Sequence, residues 1–170
     1  MKIQEIVDIC RKSGELYITK TKDAQWIGNR QAIYPLYDLP ELSAEELCTI
    51  YSISEEQRDK MILNDRRESD YSGVDFGGVT GSENAAEVIS PGILYGGALF
   101  VMLRCGDEIN FVRRIYLAPF KEEVQFWRRE CGIGAYYVIT AGMFVKGIVF
   151  PDRDVRAVIA ADIKEIAKVL

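Results

Sequence analysis

Apolar residues recur along the chain with two different periods. Ile3, Ile6, Val7 and Cys10 fall at i, i+3, i+4 and i+7, the spacing of one helical face, and Gly14 stands where such a helix would end. The pattern then shortens. ELYITK (15–20) and AQWIG (24–28) read as strands joined through a TKD turn, and QAIYPL (31–36) as a third strand that Pro35 confines to an edge or a terminus. Two short helices are expected near 44–51 and 55–64. Each opens on a capping-box pattern, Ser43 with Glu46 and Ser54 with Gln57, in which a side chain and a backbone amide exchange hydrogen bonds.

From Asp65 to Pro91 the periodicity fades into a stretch rich in Gly, Ser and charge. It reads as a flexible connection between an N-terminal lobe (1–64) and a second unit (92–170), the two forming one integrated domain. Strand periodicity returns in ALFVMLR (98–104), INFVRRIYL (109–117), VQFWRRE (124–130), AYYVIT (135–140) and MFVKGIVF (143–150), where Gly147 marks a bulge. Pro151 ends the run. In the final helix Val155, Val158, Ile159, Ile163, Ile166 and Leu170 share one face, with Asp152 or Asp154 as its cap. Hairpin-linked strands covered by helices give an α+β fold: N-terminal helix and small hairpin, two capped helices, then a five-stranded, mainly antiparallel sheet packed by the C-terminal helix.

Composition narrows the chemistry. The 170 residues are 48% hydrophobic and 28% charged, the balance of a globular protein. No segment reaches the ~20 continuous apolar residues that span a bilayer, and Glu5 and Asp8 interrupt the place of a signal-peptide core. Four separated cysteines with no CxxC pair fit free thiols in a reducing, cytoplasmic setting and no zinc site. The chain has no histidine, which removes Ser-His-Asp and Cys-His catalysis and histidine-ligated metal. No metal, cofactor or catalytic residue is expected. The net charge of −5 disfavours nucleic acid as a general partner. Residues 98–150, with 7 basic and 5 acidic side chains, run against that trend.

Five stretches carry candidate chemistry. DFGGVTGSEN (75–84) resembles a phosphate-binding loop but lacks the P-loop lysine, so a mobile connection, or a loop ordered by a partner, is the expectation. CGIGAYY (131–137) sets a thiol beside glycine amides. It reads as a turn, the alternative being an enzyme built on Cys131. FVRRIY and FWRRE place arginine pairs beside aromatics. Strand alternation sends one arginine of each pair to each sheet face. Arg113, Arg114, Tyr116, Trp127, Arg128 and Arg129 could thus make an anion or single-stranded nucleic-acid platform, against the competing reading of ion pairs with Glu122, Glu123 and Glu130. Trp26, Tyr34 and Tyr37, in a proline-bearing segment, form either a protein-docking surface or the cover of a small core.

AQWIGNRQAIYPLYDLPEL, the capped helices that follow it and the closing MFVKGIVFPDR strand and helix together resemble small uncharacterised proteins encoded by phages and prophages of Gram-positive bacteria. That resemblance implies a part in replication, regulation or assembly of a mobile element and supplies no catalytic residues. A second similarity is to one module of a DNA sliding clamp. Clamps line their bore with basic helices, whereas here Arg153, Arg156, Lys164 and Lys168 are balanced by Asp152, Asp154, Asp162 and Glu165. The sequence thus leads to a non-catalytic, macromolecule-binding protein whose partner is a protein and which can self-associate. A DNA-associated accessory of clamp type is the alternative.

Overall fold

The computed structural model describes residues 2–37, 39–67, 70–71 and 73–159. Helix α1 (Ile3–Ser13) buries Ile6, Val7, Ile9 and Cys10 and ends at Gly14. The left-handed φ of 71° at Gly14 suits a residue without a Cβ. The chain then enters β1 (Glu15–Lys20), β2 (Gln25–Gly28) and β3 (Ala32–Leu36). Helix α2 (Ala44–Ile50) starts on the full Ser43–Glu46 capping box, and α3 (Glu55–Arg58) on Ser54, whose hydroxyl accepts from the Gln57 amide.

α3 is shorter than expected because β4 (Ile62–Arg67) takes the following residues and pairs parallel with β1. Next come β5 (Asn84–Tyr95), β6 (Ala98–Cys105), β7 (Glu108–Arg113), a 3-10 turn (Arg114–Leu117), β8 (Gln125–Cys131), β9 (Gly134–Ala141) and β10 (Phe144–Val149). A helix, α4, opens at residue 153 and is described to 159, so Ile163, Ile166 and Leu170 of the expected apolar face lie outside the described residues. Asp152 caps it, its carboxylate accepting from the Val155 amide at 3.2 Å.

The α+β class holds, but among the described residues the sheet has ten strands rather than five, in the order β4-β1-β2-β3-β10-β9-β8-β5-β6-β7. It is mixed, since β4 and β1 run parallel while the other neighbours are antiparallel. Pairing of β3 with β10 carries the sheet from the first half of the chain into the second. β3 is therefore an interior strand, and of the edge or terminus expected from Pro35 the terminus holds, Pro35 being the last residue but one of the strand. Only Ala32 and Ile33 pair with β10. Pro35 lies beyond them and pairs on the β2 side with Trp26, so the missing N–H costs no ladder bond to β10. The register shift between Val145 and Gly147 is the bulge expected at Gly147.

Alternation divides the side chains between two faces. On one face Leu16, Ile18, Ile27, Tyr34, Tyr137 and Ile139 pack beneath α1 and α2 in the main core. On the other, Trp26, Ile33, Tyr136, Val138 and Ile148 are covered by Tyr71, Val74 and Phe76, from the chain between β4 and β5. A third cluster packs Val155 and Ile159 of α4 on Phe100 and Phe111 of β6 and β7. The segment 65–91, expected as a connection, thus contributes the end of β4, a sheet-covering loop and the start of β5.

Candidate functional site

Phe76 seats the loop that precedes β5. Its ring meets Trp26 edge-on at 5.1 Å and Tyr71 at 5.6 Å, the T-shaped contact aromatic quadrupoles favour. The Tyr136 hydroxyl accepts from the Asp75 amide at 2.9 Å, and the Asp75 carboxylate accepts from the Gly77 amide at 2.8 Å.

Arg129, reaching down from β8, closes the arrangement. Its guanidinium donates to the carbonyls of Asp75 (2.9 Å), Gly77 (3.0 Å) and Gly78 (2.7 Å), and to Glu83 at 2.6 Å. Both side chains of the Arg129–Glu83 pair are largely enclosed. The hydrogen bond from Arg129 holds the Glu83 carboxyl down at about 2, helped by the Thr80 amide and hydroxyl. Two of the three glycines of DFGGVTGSEN, Gly77 and Gly78, thus give up their carbonyls to a protein guanidinium.

Beside this loop lies a groove of about 770 Å³. Trp26, Phe76, Tyr37, Phe144 and Val145 line it. Met143, from the β9–β10 turn, stands at its mouth, and Lys22, Asp23, Asp75 and Lys146 form a polar rim. The groove opens because β3 and β10 part beyond Ile33 and Ile148 at the Gly147 bulge. Across the gap the Tyr37 hydroxyl donates to the Val145 carbonyl at 3.0 Å, and burial raises the Tyr37 pKa. Met143 and Phe144 are 93% and 67% exposed. The Trp26 Nε1–H is buried with no acceptor among the described residues. Of the three aromatics expected to dock a partner, Trp26 and Tyr34 are core residues and Tyr37 alone is exposed. Tyr34 lies under α1 and donates to the Tyr116 carbonyl at 2.7 Å. Met143 and Phe144 had no signal in the sequence beyond two large apolar residues after a tight Ala141-Gly142 turn.

The arginine platform does not come together. β7 ends at Arg113 and the chain turns, so Arg114 and Tyr116 leave the strand expected to carry them. Arg113 lies 3.4 Å from Asp152, and Arg114 is exposed. The Tyr116 ring is buried, with its hydroxyl on Gln31, and the Trp127 indole donates to Thr140 at 2.9 Å. Alternation does part Arg128 from Arg129. Arg128 pairs with Glu108 at 2.7 Å and Glu130 at 2.6 Å, whereas Arg129 holds the loop. Of the acids expected to compete, Glu130 takes an arginine and Glu122 takes Lys146 at 3.1 Å; Glu123 has no ion pair among the described residues.

All four thiols are free, Cys10 and Cys48 within the main core and Cys105 and Cys131 nearer the surface. Cys131 is partly exposed and its thiol donates to the Gly134 carbonyl at 3.3 Å in the β8–β9 turn. Burial in the main core pushes the Cys10 thiol up to about 12. Among the described residues no group of three or more Cys, Asp or Glu is placed to hold a metal ion, and no helix is long and apolar enough to cross a membrane. Comparison of the chain with protein-family models, with curated proteins and with solved structures finds no match.

Proposed function

We propose that this chain is a non-catalytic docking module that binds another protein through the groove beside Trp26. One observation carries the reading: Met143 and Phe144 project into solvent beside a groove floored by aromatic side chains. Exposed apolar and aromatic side chains around a preformed cleft are the usual anchors of protein interfaces. The occupant is an apolar side chain of a partner, set between Phe144 and Phe76. Neutralisation of Arg113, Arg128 and Arg129 by acids of the same chain favours protein over nucleic-acid phosphate as the partner. A role in a phage or prophage, expected from the sequence, belongs to this proposal.

Display selection of peptides against the immobilised chain tests it. In a Trp127→Phe background Trp26 is the one remaining tryptophan. Selected peptides should carry an aromatic or aliphatic anchor and shift Trp26 emission. They should bind roughly tenfold more weakly to Phe144→Asp, the loss of a buried aromatic contact. Peptides that bind without moving Trp26 emission, or equally well to Phe144→Asp, would overturn the reading.

A further inference from the structure

β5 changes partners midway. It pairs with β8 only over Asn84–Ala86; from Glu87 to Tyr95 it pairs with β6, and nothing in the sheet joins its other edge. The chain that enters β8 runs off in a different direction, and a cleft opens between the two. Gly92 fits the closest part of the hairpin, where a Cβ would come within 2.3 Å of the Phe100 carbonyl oxygen.

The cleft, about 670 Å³, lies on the α1 face of the sheet, away from the Trp26 groove. Its walls include Val88, Val101, Leu117, Phe120 and Val124. Val88 and Leu94 face Leu103 and Leu99 across the β5–β6 ladder, so the apolar strip continues outward to Leu94, which is 75% exposed.

The charged side chains that line it have one sign. Arg114 and Lys121 line the cleft and no acidic side chain among the described residues does, in a chain whose net charge is −5. Arg114 makes no ion pair among the described residues. Lys121 meets Glu5 at 3.0 Å with more than half of its own side chain exposed, a surface pairing that a second carboxylate can share. A cleft with apolar walls, cations at its rim and the unpaired backbone of a strand along one side matches a polypeptide. A fatty acid would leave those backbone groups unmet. Pro91 has no N–H, and the register shift between Ile89 and Ile93 interrupts the edge, which keeps any added strand short.

We infer that this cleft is a second docking site, one that takes an extended segment of a partner protein with alternating apolar and acidic side chains. Apolar side chains enter between Val88 and Leu117 while carboxylates meet Arg114 and Lys121.

The test is amide chemical-shift mapping on the full chain with a short synthetic peptide of alternating Leu and Glu. Its Leu/Lys counterpart, dodecanoate and phosphatidylglycerol vesicles serve as the other arms. The Leu/Glu peptide should shift the amides of residues 88–90, 92, 114–118, 120 and 121 and leave that of Phe144 unmoved. The doubly reversed Arg114→Glu, Lys121→Glu chain should bind it roughly tenfold more weakly, the loss of two surface ion pairs. Ala118→Trp, at an exposed position on the cleft wall, should block it. No shift, or an equal response to the Leu/Lys peptide, overturns the assignment. A response to dodecanoate or vesicles alone makes the site a lipid site. Concentration-dependent dimerisation of the free chain that perturbs the same amides makes the occupant a second copy. Either result also overturns the proposal.

Discussion

The loop before β5 and the β5–β6 hairpin after it show opposite outcomes of similar-looking chain. Residues 70–83 are rich in Gly, Ser and Asp and read as loose, yet they bury Tyr71, Val74 and Phe76 and surround a guanidinium. Residues 84–105 form two long paired strands, yet Val88, Leu94, Tyr95 and Leu99 remain exposed on them. Regular hydrogen bonding and burial are separate matters. A hairpin satisfies its backbone with its own partner strand and can still leave a face open, whereas an irregular loop must find acceptors and apolar cover elsewhere or stay solvated.

The sharpest way to break this contrast is to empty the loop's anchor. Phe76→Ala should destabilise the fold by about 3 kcal/mol, the low end for a buried aromatic because an exposed loop can partly close the void. Chemical denaturation measures it. A loss within ~0.5 kcal/mol would mean that the loop rests on the sheet without stabilising it.

Next is the strap. Arg129→Met keeps the aliphatic stem but leaves the carbonyls of Asp75, Gly77 and Gly78 without their donor. A loss of about 2 kcal/mol is expected, since hydrogen bonds to charged groups contribute more than neutral ones. Hydrogen exchange between Val74 and Glu83 should quicken, with β9 and β10 unchanged.

The same strap sets an acid limit. The Glu83 carboxyl titrates at about 2 in the folded chain and near 4.3 when unfolded. Its contribution is therefore complete above the unfolded value and is lost as pH falls from about 4.3 toward 2. A denaturation series across that range should show a limb that Glu83→Gln flattens.

Legibility in the sequence followed how local each cause was. Gly14, the Ser43 box, the Thr21–Ala24 turn and the Gly147 bulge are settled within a few residues and were readable. ILNDRR does not read as a strand because β4 is an edge: only Leu63 and Arg66 of its six side chains are half-buried, and Asp65, Arg66 and Arg67 follow one another as charges. β5 was hidden by Ser90-Pro91-Gly92, which an interior strand would reject and its open edge accepts. The candidate groove was half legible. An aromatic cluster looks the same whether it fills a core or meets a partner, and sequence spacing cannot separate buried Trp26 and Tyr34 from exposed Tyr37. Arg129 was placed on the face opposite Arg128 by alternation alone, but its acceptors lie 46 to 54 positions away in sequence.

Leu94→Ser gives the smallest expected effect and the most direct comparison with Phe76. Leu94 sits in a twelve-residue strand, a setting that suggests a core position, yet 75% of it is exposed. Replacing it should change stability by less than about 0.5 kcal/mol, as at surface positions that touch little. Denaturation of the free chain measures that. A loss comparable to that of Phe76→Ala would mean that the hairpin face is covered in solution, and the contrast between the two regions would collapse. If the small value holds, Leu94 adds almost nothing to the stability of the free chain although it lies in a regular strand, while Phe76 in an irregular loop adds much, and the contrast between hydrogen-bonded regularity and burial stands.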